Sequence, residues 1–379
     1  MYEIFFEKWP NLCRIKEDEL LKLPYDIEIH EKCDSKLANF FEKTQKLSIL
    51  KPFPTVLNNV EIPKHLFLKM KNKKEYEIKQ LLSVFLKECE KIGVKTVIDI
   101  GCGKGNFIKI LQYFGMKCIG IEANSEFCKA AKEANPDAMI FNEFVTVNSI
   151  PKIRDIIDVH GPAALISLHG CGNLQKVLLH IKVSITTNKL PLLFTLGCCY
   201  HKRTNSSGTN EWAISETIKT KLKDASINLP TSALRLGCDR GLLHWTKQSP
   251  EQFEAHKNAV FNRAVIETIF PEETSIQRNT NRNLKGDLIS TICDKHNILI
   301  TEREAKEEEL RKAFEKYSNF KNGIQPFSML QSGIQASMET LILLDSAYFL
   351  KENNQPASFQ SLFDVLQSPR NICLISLSA

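Results

Sequence analysis

The stretch that decides the fold is Val97-Ile-Asp-Ile-Gly-Cys-Gly-Lys-Gly105, an apolar segment running into an Asp-x-Gly-x-Gly-x-Gly turn. Gly101, Gly103 and Gly105 let the backbone leave a strand sharply and carry no Cβ to block a ligand. Behind the turn, Asn106 to Phe114 has helical spacing, with Phe107, Ile110, Leu111 and Phe114 on one face. Strand, glycine turn and helix together place a ligand at the carboxyl edge of a parallel sheet, where doubly wound folds bind nucleotides. The next strand, Lys117-Cys-Ile-Gly-Ile-Glu122, ends in an acid 17 residues after Gly105. A carboxylate there accepts hydrogen bonds from both ribose hydroxyls.

The dinucleotide fingerprint Gly-x-Gly-x-x-Gly fits in neither register. Read from Gly101 its third glycine falls on Asn106, and read from Gly103 it falls on Ile108. Alternate glycines after an Asp suit a nucleoside cofactor with no pyrophosphate, so S-adenosylmethionine is the expected ligand. Asp99, Gly101, Gly103, Gly105 and Glu122 are its expected binding residues, with Asp99 toward the methionine end, directly or through water. Asn142, at the end of the third strand, is a candidate adenine contact; the alternative is a strand-terminating Asn. A purely structural glycine turn in an unrelated α/β protein is the competing reading.

Composition bounds the class. The 379 residues are 43% hydrophobic and 25% charged, as in an ordinary globular protein. No run reaches the roughly 18 apolar residues of a membrane span, and the first 30 residues have no continuous apolar core, so neither a membrane nor a secretory signal is expected. The 12 cysteines include no Cys-x-x-Cys pair and several lie in apolar strands, which reads as buried thiols of a reducing compartment, cytoplasm or nucleus. A net charge of +6 permits a polyanionic partner such as RNA without demanding one.

Strands are predicted at 96–100, 117–122, 138–142, 164–169 and 192–196, with helices at 105–114, 125–134, 151–158 and 173–188. That alternation gives a parallel sheet covered by helices on both faces. A long helix is expected over 65–92, with Lys73 and Lys74 read mainly as an exposed face, and a Pro-rich turn at Lys51-Pro-Phe-Pro54. After the fifth strand the rhythm breaks into a polar, mostly helical stretch with a turn at Thr204–Thr209 and a charged helix over 301–317. An apolar helix over 338–350 and two strands near 359–365 and 371–378 follow. Four regions result: a helical N-terminal extension (1–92), a Rossmann-like core (93–200), a helical insertion as a candidate substrate cap (201–335), and the last helix and closing antiparallel hairpin (336–379).

Two strand ends carry polar clusters, His169-Gly-Cys-Gly-Asn173 and Gly197-Cys-Cys-Tyr-His201. Both fall on the edge that holds the glycine turn. His169, Cys171, Asn173, Cys198, Tyr200 and His201 are therefore the expected acceptor-side residues.

Together, Asp99-Ile-Gly-Cys-Gly-Lys-Gly105, Leu168-His-Gly-Cys-Gly-Asn-Leu174 and Gly197-Cys-Cys-Tyr200 resemble the methyltransferase-like 25 family. That family is close to proteins named for a ribosomal RNA adenine dimethylase-like domain. Met70-Lys-Asn-Lys-Lys-Glu-Tyr-Glu77, Glu339-Thr-Leu-Ile-Leu-Leu-Asp345 and Ser368-Pro-Arg-Asn371 extend the likeness, which touches the chain from about 65 to 371. The resemblance implies a class I methyltransferase fold using S-adenosylmethionine; it carries no substrate. The family pattern has Asp where this chain has Asn173 and Arg where it has Ser346.

Three chemistries fit the cluster. In the first, side chains only align an acceptor for in-line displacement, and His169 or His201 takes its proton. In the second, His169, Cys171, Cys198, Cys199 and His201 ligate zinc, although their spacing matches no familiar motif, so no metal is expected. In the third, a cysteine attacks a pyrimidine, without the usual Pro-Cys context. The Asn-Pro-Pro-aromatic pattern of adenine N6 chemistry is missing after the fourth strand. The acceptor is expected to be RNA or protein; the alternative is a degenerate scaffold that regulates a partner.

Overall fold

The computed structural model describes residues 7–15, 17–24, 26–33, 36–49, 60–68, 70–203, 211–270, 288–295 and 298–378. The turns expected at Lys51–Pro54 and Thr204–Thr209 lie outside them. β1 (Thr96–Ile100) is buried at every position, as a strand must be when helices cover both faces of a parallel sheet. It lies between β2 (Lys117–Glu122) and β4 (Ala163–Gly170), and the seven strands run in the order β3-β2-β1-β4-β5-β7-β6. β3 (Met139–Asn142) and β5 (Leu192–Gly197) extend the parallel portion on either side. β7 (Ile372–Leu377) is antiparallel to both β5 and β6 (Ser358–Ser361), so the expected closing hairpin inserts its second strand beside β5. This is the class I methyltransferase sheet.

The order reverses between β1 and β4, so their carboxyl ends diverge and open a crevice. Helices α1 (Asn72–Lys91), α2 (Asn106–Tyr113), α3 (Ser125–Ala134), α4 (Ile150–His160) and α5 (Asn173–Ser184) pack beside the strands. α1 buries Ile78, Leu81, Leu82, Phe85 and Cys89. It starts seven residues later than the spacing predicted. Leu66 and Phe67 enter the core from a short 3-10 turn, and Leu68 and Lys71 are extended.

The chain divides into two compact units: 45–241 with 334–379, which holds the sheet, and 1–44 with 242–333. These boundaries differ from the four regions read from the sequence. Residues 45–92 and 201–241 belong with the sheet, and the first 44 residues share a unit with most of the insertion. In that helical unit Leu12, Leu23, Leu37, Phe41, Trp245 and Phe253 form one core. α8 (Pro250–Ile269) there begins with a capping box of Ser249 and Gln252, and α9 (Ile300–Tyr317) supplies Ala313 and Phe314 against its Phe261.

The sheet unit also contains α6 (Glu216–Asp224) and α7 (Thr231–Leu236). α10 (Ile324–Glu352) is 29 residues long, starting well before the predicted 338. Its first half hid from periodicity because it buries Gln325, Ser328, Ser332 and Gln335 along with Ile324 and Met329. On its second half, the Asp345 carboxylate accepts from the Ile214 and Ser215 amides, each at 3.0 Å, and from the Ser215 hydroxyl at 2.9 Å. Fully buried Arg203 lies 3.7 Å from Asp345 and donates to Ser346 at 2.9 Å.

Removing one partner of such a pair leaves an uncompensated buried charge. Asp345→Ala is therefore expected to lower unfolding stability by about 3–5 kcal/mol. Arg203→Met in the same background should recover some of the loss. Urea denaturation of the three proteins tests this, and an Asp345→Ala midpoint equal to that of the parent would contradict it.

Candidate active site at the carboxyl edge

The glycine turn after β1 is held by its neighbours. The Gly101 amide donates to the Ile121 carbonyl at 2.8 Å. The Glu122 carboxylate accepts from the Gly103 amide and the Asn124 amide, each at 2.8 Å. Gly105 caps α2 in the left-handed region at φ 73°, and a Cβ there would lie 2.3 Å from the Asn135 amide nitrogen. Only glycine fits that close approach. Over Gly103 the situation is the opposite: a Cβ would meet nothing within 4 Å. The turn is packed underneath and clear on top, as a ligand lying against its backbone requires.

Gly101, Glu122, Phe144, Val147, Cys171 and Asn173 are among the residues lining a cleft of about 650 Å³ at this edge. Phe144 and Val147, 77% and 53% exposed, present apolar surface to this cleft. Asn142, the candidate adenine contact, instead donates to the Glu122 and Ala123 carbonyls at 2.9 and 3.1 Å. It fixes the turn after β2, while Glu143, Phe144 and Val145 beyond it face the cleft.

Asp99 is buried beneath the turn. Burial pushes its carboxyl up to about 7, against the pull of Lys74 and with the added repulsion of Glu122. Lys74 is half-buried, its ammonium destabilised by burial and favoured by Asp99 and Glu77. Only Lys73 behaves as the exposed helix face read for both lysines, with 3.5 Å to Glu77.

A second cluster joins segments far apart in sequence. Glu77 on α1 is 2% exposed. It accepts from the Ser368 hydroxyl at 2.7 Å and meets His169 Nε2 at 3.0 Å. Burial raises its carboxyl, but His169, Ser368 and Lys73 outweigh that and hold it at about 2. An ionised carboxylate only accepts, so Nε2 donates and Nδ1 is left as the basic nitrogen. His169 sits at φ 69°, beside a register shift between Leu168 and Gly170. A non-glycine residue held there is strained by about 1–3 kcal/mol, as functional residues often are.

The remaining candidates separate. Cys171 follows β4 and Cys198 follows β5, and their sulfurs approach to 2.7 Å; Cys199 lies 3.7 Å from Cys198. Hydrogen bonding from Cys198 pulls the Cys171 thiol down to about 6, while Cys198 and Cys199 are pushed up. Asn173 opens α5 at the cleft. Tyr200, expected on the acceptor side, is 1% exposed and donates to Glu339 at 2.9 Å. Its phenol is an interior strut. His201 turns its Nδ1 to Cys238 Sγ at 3.5 Å. Glu77, Ser368, Lys74 and Phe144 were not among the expected site residues. The signal for Glu77 was an acid on the apolar face of α1, one residue from Ile78 and four from Leu81.

Residues 71–206 match the family model described as a methyltransferase domain. Two curated relatives bear the name "probable methyltransferase-like protein 25". The Mus musculus protein is 26% identical over 263 residues, covering 62% of this chain and 40% of the relative. The Homo sapiens protein is 24% identical over 287 residues, covering 68% and 43%. The chain thus spans about two fifths of the length of these relatives. A solved S-adenosylmethionine-dependent methyltransferase from Clostridium acetobutylicum is 12% identical, covering 39% of this chain and 61% of that one at a TM-score of 0.24.

A cofactor ammonium near Asp99 would favour the ionised carboxylate, and its binding would then expel the Asp99 proton below about pH 7. The affinity for S-adenosylhomocysteine is expected to rise with pH up to about 7, by at most about tenfold per unit, and then level off. Calorimetry from pH 5.5 to 8.5 tests this against Asp99→Asn, which should lose the slope. A parent profile as flat as the variant's would contradict it.

Proposed function

We propose that this chain, which carries a class I S-adenosylmethionine-dependent methyltransferase domain resembling methyltransferase-like protein 25, transfers a methyl group to a nucleophile on RNA or protein. The observation that carries the proposal is the meeting, at one sheet edge, of an open glycine turn with a carboxylate-oriented histidine. S-adenosylmethionine, when bound, supplies an electrophilic methyl on a sulfonium. The chain's own contribution is binding and alignment. Glu122 would hold the ribose, Asp99 the methionine end, and Phe144 with Val147 the adenine. His169, oriented by Glu77 through Nε2, keeps Nδ1 for the acceptor's proton. Asn173 and Cys171, which line the same cleft as Glu122, contact the acceptor in this reading.

Gly103→Arg fills the open space above the turn and is expected to abolish S-adenosylhomocysteine binding by calorimetry. His169→Ala and Glu77→Gln should bind within about twofold of the parent yet slow methyl transfer by on the order of a hundredfold. Transfer is read with labelled cofactor on RNA and protein fractions. Tight binding with no transfer to either fraction would favour the regulatory scaffold, and no binding at all would remove the enzyme reading.

A further inference from the structure

We propose that Cys171, Cys198 and Cys199 form a three-thiolate site for zinc beside the cleft, its fourth position left to an exogenous ligand. β4 and β5 are parallel neighbours with Gly170 opposite Gly197, so the turns that follow them emerge side by side. Cys171 stands on one turn and Cys198 and Cys199 on the other. Their sulfurs lie at 2.7 and 3.7 Å and all within 4.8 Å of one another. Zinc–sulfur bonds of about 2.3 Å in a tetrahedron put thiolates roughly 3.8 Å apart. The Cys198–Cys199 separation is close to that spacing, and Cys171 would have to move about 1 Å away from Cys198 to reach it, within the reach of side-chain rotation.

These thiols differ from the others. Cys89, Cys118, Cys128, Cys293 and Cys373 are buried as small apolar side chains, whereas Cys171 is exposed and lines the cleft. All three are free thiols. Among the described residues no other His, Cys, Asp or Glu joins the group. Three protein ligands with an exchangeable fourth is the arrangement of sites that bind a reacting molecule, whereas structural zinc is closed by four. Lys202, whose backbone closes against Gly172, brings a positive charge to the same wall. On binding, three S–H groups release their protons to solvent, and three zinc–sulfur bonds and the drop from six- to four-coordination displace the ion's waters except the one that can hold the fourth position, with no change of oxidation state. Spacing along the chain argues against zinc because it matches no familiar motif; the strand register supplies the proximity that the spacing does not.

The test is metal content of the full chain purified without chelator. About one zinc per chain is expected, retained in Cys238→Ser and largely lost in each of Cys171→Ser, Cys198→Ser and Cys199→Ser. Because a serine variant can misfold, the parent protein is also stripped and titrated with Co²⁺. Intense visible bands of tetrahedral thiolate cobalt, shifting when a small thiol or imidazole is added, support the site with its open position. Zinc below stoichiometry with no such bands would overturn it. So would a Cys171–Cys198 disulfide found by mass spectrometry in the freshly isolated protein, or retention of zinc when all three cysteines are replaced. None of these readings depends on cofactor binding or methyl transfer, so the site stands or falls separately from the proposed activity.

Discussion

The buried pair of Glu339 and Arg370 is the contact on which the carboxyl edge depends. Its 2.6 Å bond ties α10 to the segment before β7. The same guanidinium reaches the Gly237 and Asp239 carbonyls that follow α7. The same carboxylate receives the Tyr200 hydroxyl and the Gln335 amide. Ser368, two residues before Arg370, then holds Glu77, and Glu77 holds His169. Tyr200, next to Cys199, carries the connection to the thiol cluster. This ion pair is thus linked to both the Glu77–His169 pair and the turn that carries Cys198 and Cys199.

Such pairs are poor sources of net stability, since desolvating two charges costs about as much as their attraction returns. Burial raises the Glu339 carboxyl even with Arg370 beside it, a direct sign of that cost. What they supply is geometry. A pair that is satisfied in a single arrangement and orphaned in others penalises any shift of α10 against β7. Asp345 has the same role further along α10, where it caps the chain entering α6. An apolar core alone tolerates such slippage more readily.

This explains which regions of the molecule were legible in the sequence. β1 and β2 were read to the residue, and β4 and β5 to within a residue at each end, because their burial writes a continuous apolar run bounded by turns. The glycine turn was legible because close approach leaves a mark on residue type. The early start of α10 was not, since its buried glutamines and serines look like a solvent face. The grouping of the first 44 residues with 242–333 was not either, because contacts over such separation leave no local period. In the site, position along a strand end predicted the shared edge but not side-chain direction. Tyr200 and Cys198 stand two residues apart, yet the phenol is sealed inside while the thiol meets Cys171.

At His169 the backbone itself departs from a regular strand. β4 pairs regularly with β5 through Leu168 and Leu196, then skips so that Gly170 meets Gly197. The extra residue is His169, placed in the left-handed region by the skip. A bulge of this kind re-aims a side chain. Here it turns the imidazole to Glu77 and advances Cys171 to the level of Cys198. Gly197 is closely packed where the strands rejoin: a Cβ there would lie 2.5 Å from the end of the Gln175 side chain on α5, which would have to shift. The histidine and the three thiols therefore depend on the same irregularity, and a β4 without the bulge would carry neither the oriented base nor the converging sulfurs.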